Sequence, residues 1–182
     1  MTEIKDHSDF APRGSTSSAA VARTTVTTSL GYQALVAAFE GELGRWDATV
    51  GGQLLARQAP WSEIEREVSR MAGPRGLMII AAVDQGSVTS LSGVLKRCAL
   101  YLVGNPVIAN GILNIDPRGS LYVPFRVALF ELPGSGGALI AYDRPSSSLA
   151  LLERPELTEV GVRLDEKIDS VARFLASASP KP

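Results

Sequence analysis

The sequence predicts an α+β fold, a largely antiparallel mixed sheet with helices packed on one face, in a two-layer sandwich. Three observations carry this expectation. Leu77–Val83 and Cys98–Val103 are apolar at nearly every position, as strands buried on both faces are. Leu121–Glu131 alternates, with Leu121, Val123, Phe125, Val127 and Leu129 on one side and Tyr122, Pro124, Arg126, Ala128 and Phe130 on the other; Pro133–Gly137 then turns the chain into Ala138–Tyr142, a hairpin. Leu157, Val160, Leu164, Ile168, Val171 and Leu175 form one helical stripe near the C-terminus. The order strand, helix, helix, strand, strand, helix, strand, strand, helix suits helices layered over a single sheet face.

Met1–Ala22 is rich in Ser, Thr, Ala and Gly with few large apolar groups, which predicts a disordered tail. A single α+β domain is expected over 23–178, with a short tail at 179–182. Arg23–Ser29 is Thr- and Val-rich, a strand signal. Tyr32, Leu35, Val36, Phe39 and Leu43 recur at helical spacing, and Gly44 ends that helix. Arg45–Ala59, with Gly51-Gly52 inside it, reads as irregular. Ser62–Glu65 has capping-box spacing and opens a second helix, whose apolar face is Ile64, Val68 and Met71. Gly73–Gly76 breaks it.

Asp84-Gln85-Gly86 ends the first inner strand, and Ser87–Arg97 reads as a loop with a short helical turn. Asn105 is a good N-cap, and Pro106 at the first helical position loses no hydrogen bond. Val107, Ile108, Ile112 and Ile115 supply that helix's stripe, and Asp116–Gly119 stops it. Pro124 has no N–H, which places its strand at an edge or at a bulge. Arg144–Ser148 leads into a short apolar segment, Leu149–Leu152. In the last helix, Glu159 with Arg163 and Asp169 with Arg173 read as exposed pairs worth about 0.2–0.5 kcal/mol each. Burial of the stripe, at about 1.5–3 kcal/mol per large side chain, far exceeds them.

A length of 182 residues, 45% of them apolar, makes one domain with a sizeable core the default. The net charge of −1 argues against a general nucleic-acid binder. No run of about 18 apolar residues predicts a membrane span. The N-terminus has no apolar signal core, so a cytoplasmic location is expected. The lone Cys98 cannot form an internal disulfide; it is a thiolate haem ligand in the sharp reading and a small apolar strand residue in the plain and commoner one. His7, the one histidine, lies in the expected tail, which excludes a folded Ser-His-Asp or Cys-His site and leaves too few ligands for a transition metal. Neither a metal nor a cofactor is expected. No dinucleotide or Walker glycine pattern opens a helix after a strand, and Gly134–Gly137 is a hairpin turn.

Met71–Met78, Tyr101–Pro106, Asp116-Pro117, Leu121–Val127 and Tyr142–Pro145 occur in an order and spacing that resembles the domain of unknown function 302 family. The resemblance covers roughly Thr24 to Leu175. It implies a small α/β sandwich and no generally established activity. Many relatives carry an Asp-His pair where this chain has Asp84-Gln85, and some carry His where it has Ile115. If those histidines do chemistry in relatives, the resemblance implies that this chain has lost it.

Arg126 is the sharpest single candidate: a guanidinium in mid-strand can hold a carboxylate or phosphate in bidentate fashion, or simply guard an edge against aggregation. Helices on one face leave the oily second face of the inner strands to be covered by a ligand, a loop or a second subunit. The leading expectation is a homodimeric small-molecule-binding protein with an apolar cavity on that face. Arg126, Tyr101, Tyr122 and Tyr142 would hold an apolar, carboxylate-bearing ligand, and the helix start at Asn105 could add an anion contact. The alternatives are a cofactor-independent isomerase, cyclase or lyase with Asp84 or Asp143 moving a proton, and a non-catalytic dimerisation module. Capping the turns that end their strands is the plainer and commoner reading of Asp84 and Asp143. Trp46 and Trp61 line an apolar pocket in the sharp reading; packing in a core or at a dimer contact is the commoner fate.

Overall fold

The computed structural model describes residues 20–179. The expected tails lie almost wholly outside these residues, as does His7. The chain runs β1 (Arg23–Thr27), α1 (Tyr32–Glu42), β2 (Gly44–Arg45), α2 (Ala48–Ala56), α3 (Trp61–Met71), β3 (Met78–Asp84), α4 (Gln85–Ser90), β4 (Cys98–Gly104), α5 (Pro106–Ile115), β5 (Phe125–Glu131), β6 (Ala138–Asp143), α6 (Pro145–Leu149) and α7 (Pro155–Ser177), with 3-10 turns at Pro117–Leu121 and Ala150–Leu152. The strands form one six-stranded sheet in the order β1-β6-β5-β4-β3-β2. Every pairing is antiparallel except the short parallel one of β2 with β3. The architecture is the expected α+β sandwich.

Strand pleating decides what each face carries, because successive side chains point to opposite sides. Ala99, Tyr101 and Val103 of β4, Phe125, Val127 and Leu129 of β5, and Ala138, Ile140 and Tyr142 of β6 are buried on one side. Leu35 and Phe39 of α1, Ile112 of α5, and Leu157, Leu164, Ile168, Val171 and Leu175 of α7 join them in one core. On the other side stand Leu100, Leu102, Arg126, Ala128, Phe130, Ala141 and Asp143, most of them half-buried or exposed. The core side is packed by helices; along β4, β5 and β6 the other side is mostly half-buried or exposed, with Ser148 of α6 beside Arg126 and Asp143 at one end.

Several local expectations change. β5 begins at Phe125 rather than Leu121, because Asp116 accepts the Arg118 N–H at 2.9 Å and opens the 3-10 turn. The expected long alternating strand is therefore short, and Leu121 is exposed. Pro124 precedes the ladder across a cis Val123–Pro124 bond, so its missing N–H costs β5 nothing. β5 consequently sits inside the sheet between β4 and β6, not at its edge. The segment read as irregular contains β2 and α2, the latter capped by Asp47 Oδ1, which accepts the N–H groups of Thr49 and Val50. Gly44 does not merely end α1: a Cβ there would collide with the Met71 carbonyl, so only glycine lets β2 pass the end of α3. Helix α3 starts two residues early, with Pro60 rather than Ser62 at its N-cap position.

The tie between α7 and the sheet is polar. Asp165 is buried on the apolar stripe. It accepts Arg144 Nε at 3.1 Å and both the N–H and the hydroxyl of Ser146. Arg144 also reaches Asp169 at 3.3 Å, and Tyr142 donates its hydroxyl to the same carboxylate. Asp169 therefore pairs with Arg144, not with Arg173 as its helical spacing predicts. Removing either carboxylate would leave this guanidinium poorly compensated, the costly way to break a buried pair.

Two substitutions test the packing. A Cβ on Gly161 would lie 2.4 Å from Ser146 Cα, so α6 and α7 must move apart to admit it. Overpacking of this kind costs about 1–3 kcal/mol, more than the gain of up to about 1 kcal/mol from replacing a helical glycine. Gly161→Ala should lower the denaturation midpoint, whereas Gly41→Ala, where nothing lies within 4 Å, should raise stability by up to about 1 kcal/mol. A third test concerns α4. The Ser87 hydroxyl, and then its N–H, hold the Asp84 carboxyl below its ordinary value. A carboxyl depressed on folding contributes fully above its unfolded pKa, about 3.9, and loses that contribution as pH falls through the lower folded value. Carboxyl NMR titration should give an Asp84 midpoint below about 3.9, returning toward it in Ser87→Ala.

Candidate functional site

The open face carries a trough of about 440 Å³ whose floor is Leu100, Ala128, Phe130 and Ala141. Register builds this floor: Leu100 pairs with Ala128, and Ala128 with Ala141. Arg23, Arg126 and Asp143 stand at one end of it. A second depression, of about 220 Å³, continues past Arg126 to Leu121, Tyr122, Pro124 and Ser148. Arg126 and Asp143 line both, so they sit where the two halves meet.

Asp143 lies between two guanidiniums. Arg23, its antiparallel partner, donates Nε to Oδ1 at 2.7 Å. Arg126 Nη2 is 3.7 Å from Oδ2, beyond hydrogen-bond range. Among the described residues no acceptor takes a hydrogen bond from Arg126, and its side chain is 69% exposed against 17% for Asp143. Two positive charges against one negative leave this end of the trough cationic.

The predicted site residues do not all converge. Arg126, Asp143 and Tyr122 meet along the trough. Tyr101 and Tyr142 were expected beside Arg126 and are on the opposite face. The Tyr101 ring packs edge-on to Phe39 with centroids 5.0 Å apart, and its hydroxyl donates to Glu40 at 3.0 Å. The Tyr142 hydroxyl is held by Asp169. Burial first, and then these carboxylates, raise both phenols well above their ordinary range. The reason is parity: Tyr101 pairs with Val127 and Tyr142 with Val127, the core-facing residue next to Arg126.

Asn105 caps α5. Its Oδ1 accepts the N–H groups of Val107 and Ile108 at 2.9 and 3.3 Å, and its Nδ2 donates to the Gly76 carbonyl at 2.9 Å. The helix-start donors that an anion would use are thus occupied. Asp84 caps α4 and pairs across the sheet with core-side Ala99, so it does not share a face with Asp143. Trp46 lies against Gly51 and Trp61 donates to Glu65 at 2.9 Å; neither lines the trough. Cys98 is half-buried at the start of β4. Among the described residues no three His, Cys, Asp or Glu side chains converge to hold a metal ion, and no helix is long and apolar enough to cross a membrane. The apolar cavity expected on the open face is instead this open trough.

Sequence reasoning missed Arg23, which sits at the boundary of the expected tail, and Ser148. Arg23 was findable only from register, since it opposes Asp143 two strands away from Arg126.

Comparison with known proteins agrees with this architecture. No curated protein matches the chain. A solved structure, that of an uncharacterized conserved DUF302 protein from Bacillus stearothermophilus, superposes with a TM-score of 0.59 at 14% identity, covering 84% of this chain and 97% of that one. At that identity the likeness speaks for the fold. The family model described as "Domain of unknown function DUF302" matches residues 55–175, from α2 through most of α7, and the chain belongs to that family.

Proposed function

We propose that the protein binds a small amphipathic carboxylate on the open face of its sheet, with Arg126 as the anion anchor. The observation that carries this reading is the state of Arg126: an exposed guanidinium whose nearest acid, Asp143, is already hydrogen-bonded to Arg23. A guanidinium offers planar paired donors that match a carboxylate. The ligand's apolar portion would cover Leu100, Ala128 and Phe130, removing half-buried apolar surface from water.

Calorimetric titration with octanoate tests this. A hydrogen bond to a charged group contributes about 1.5–3 kcal/mol, so Arg126→Gln should weaken binding by about tenfold to a hundredfold. Asp143→Asn removes the competing carboxylate and should tighten it, and added salt should weaken it. Equal affinity in wild type and Arg126→Gln would contradict the assignment.

A second reading, self-association, is favoured by one observation. Val88, Leu91, Val94 and Leu95 project between β3 and β4 with exposures from 63% to 86%. Clustered exposed apolar residues mark interaction surfaces. Light scattering should then show a dimer that Leu91→Glu with Leu95→Glu separates; a monomeric wild type at micromolar concentration removes this reading.

A further inference from the structure

Where β4 gives way to α5, a cleft of about 220 Å³ opens between Ile80, Gly104, Ile108, Ala109, Pro124 and Leu164. Backbone irregularities create it. Ile80 is at the point where the β3–β4 register slips, and its side chain reaches toward Gly104. Gly104 has no side chain to fill the space, and a Cβ there would already lie 3.3 Å from Pro124. Leu164 is buried, whereas Ile108, Ala109 and Pro124 are half-buried, so the cleft has a floor and a mouth.

The lining is almost wholly apolar. Its one polar side chain, Asn105, accepts the N–H groups of Val107 and Ile108 through Oδ1 and donates to the Gly76 carbonyl through Nδ2. An ordered water needs two to four polar partners, which the cleft does not offer. Dry apolar cavities of about 150 Å³ accept benzene, and this one is larger. We infer that the cleft is a second binding site, separate from Arg126, that takes a neutral six-membered carbocyclic ring, aromatic or saturated. Pro124 and Phe125 stand between the two sites. Arg126 lines the second depression of the open face and not the cleft, so a ring in the cleft does not need the guanidinium.

The test uses fluorobenzene, followed by ¹⁹F NMR on the full chain. Wild type should bind it with an affinity that salt does not change, and Arg126→Gln should bind it equally well. Ala109→Leu places a side chain in the cleft from a helical position where leucine is nearly as good a helix former as alanine. It should weaken binding at least tenfold while melting no lower than wild type. Ala109→Met should do the same and serves if the leucine variant does not fold. No binding by wild type, or undiminished binding by a folded Ala109 variant, overturns the inference. So does an affinity that falls as protein concentration rises, which would mean that a second copy occupies the cleft. Loss of octanoate binding in Arg126→Gln with fluorobenzene binding intact separates the two sites.

Discussion

The structure depends on the two-residue pleat of three adjacent strands. In β4, β5 and β6 every second side chain joins the core with residues of α1, α5 and α7, and most of the others are half-buried or exposed. Burial of the first set holds the domain together. The second set is under no such demand, and it is there that Arg126 and Asp143 occur. A shift of one residue in the pairing of β5 would bury the guanidinium in the core and expose Val127. Register therefore specifies the core and the candidate site by the same contacts.

The helix layer is fixed where it meets the hairpin's end. Gly161 lets α7 approach α6 at backbone distance, and Asp165 then satisfies Ser146 and Arg144 at the contact. Arg144 follows directly after Asp143, so the residue that anchors α7 and the residue that flanks Arg126 are neighbours on one strand end. The trough's floor is built on the paired backbones of β4, β5 and β6. Its polar end rests on a segment tied down through Thr24, Asp165 and Asp169.

Much of the fold was legible in the sequence because apolar runs and periods report burial directly. The hairpin, the Asn105 cap and the α7 stripe read correctly from residue type and spacing, and both inner strands form where expected; the first is not buried on both faces, however, because β2 pairs only with Met78 and Ile79 and the strand is exposed from Ala81 onward. Arg45–Ala59 did not, since α2 rests on a single aspartate cap and two glycines that dilute its helical signal. Nor did the start of β5, where alternation in Leu121–Val123 mimics a strand that the Asp116 turn forbids. Of the candidate site, Arg126 was legible from its position on the even side of β5, whereas Tyr122 reaches the second depression from the end of the 3-10 turn, outside that strand. Tyr101 and Tyr142 were misassigned because parity within one strand does not reveal parity in the next; only the register does. Asp165 carried a usable signal: an acid on an apolar stripe requires a buried partner, and Arg144 is the one it finds.

The open face and the cleft beside Pro124 differ in chemistry. One offers a loosely paired cation above an apolar floor; the other offers shape alone. The central claim is that the open face, not the helix layer, receives the ligand. Amide NMR of the labelled protein titrated with octanoate tests it most directly. Shifts concentrated at Arg126, Ala128, Ala141 and Asp143, with the amides of Tyr101 and Val103, whose side chains face the core, less changed, are predicted. Shifts confined to α1, α5 and α7, with β5 and β6 unperturbed, would contradict it.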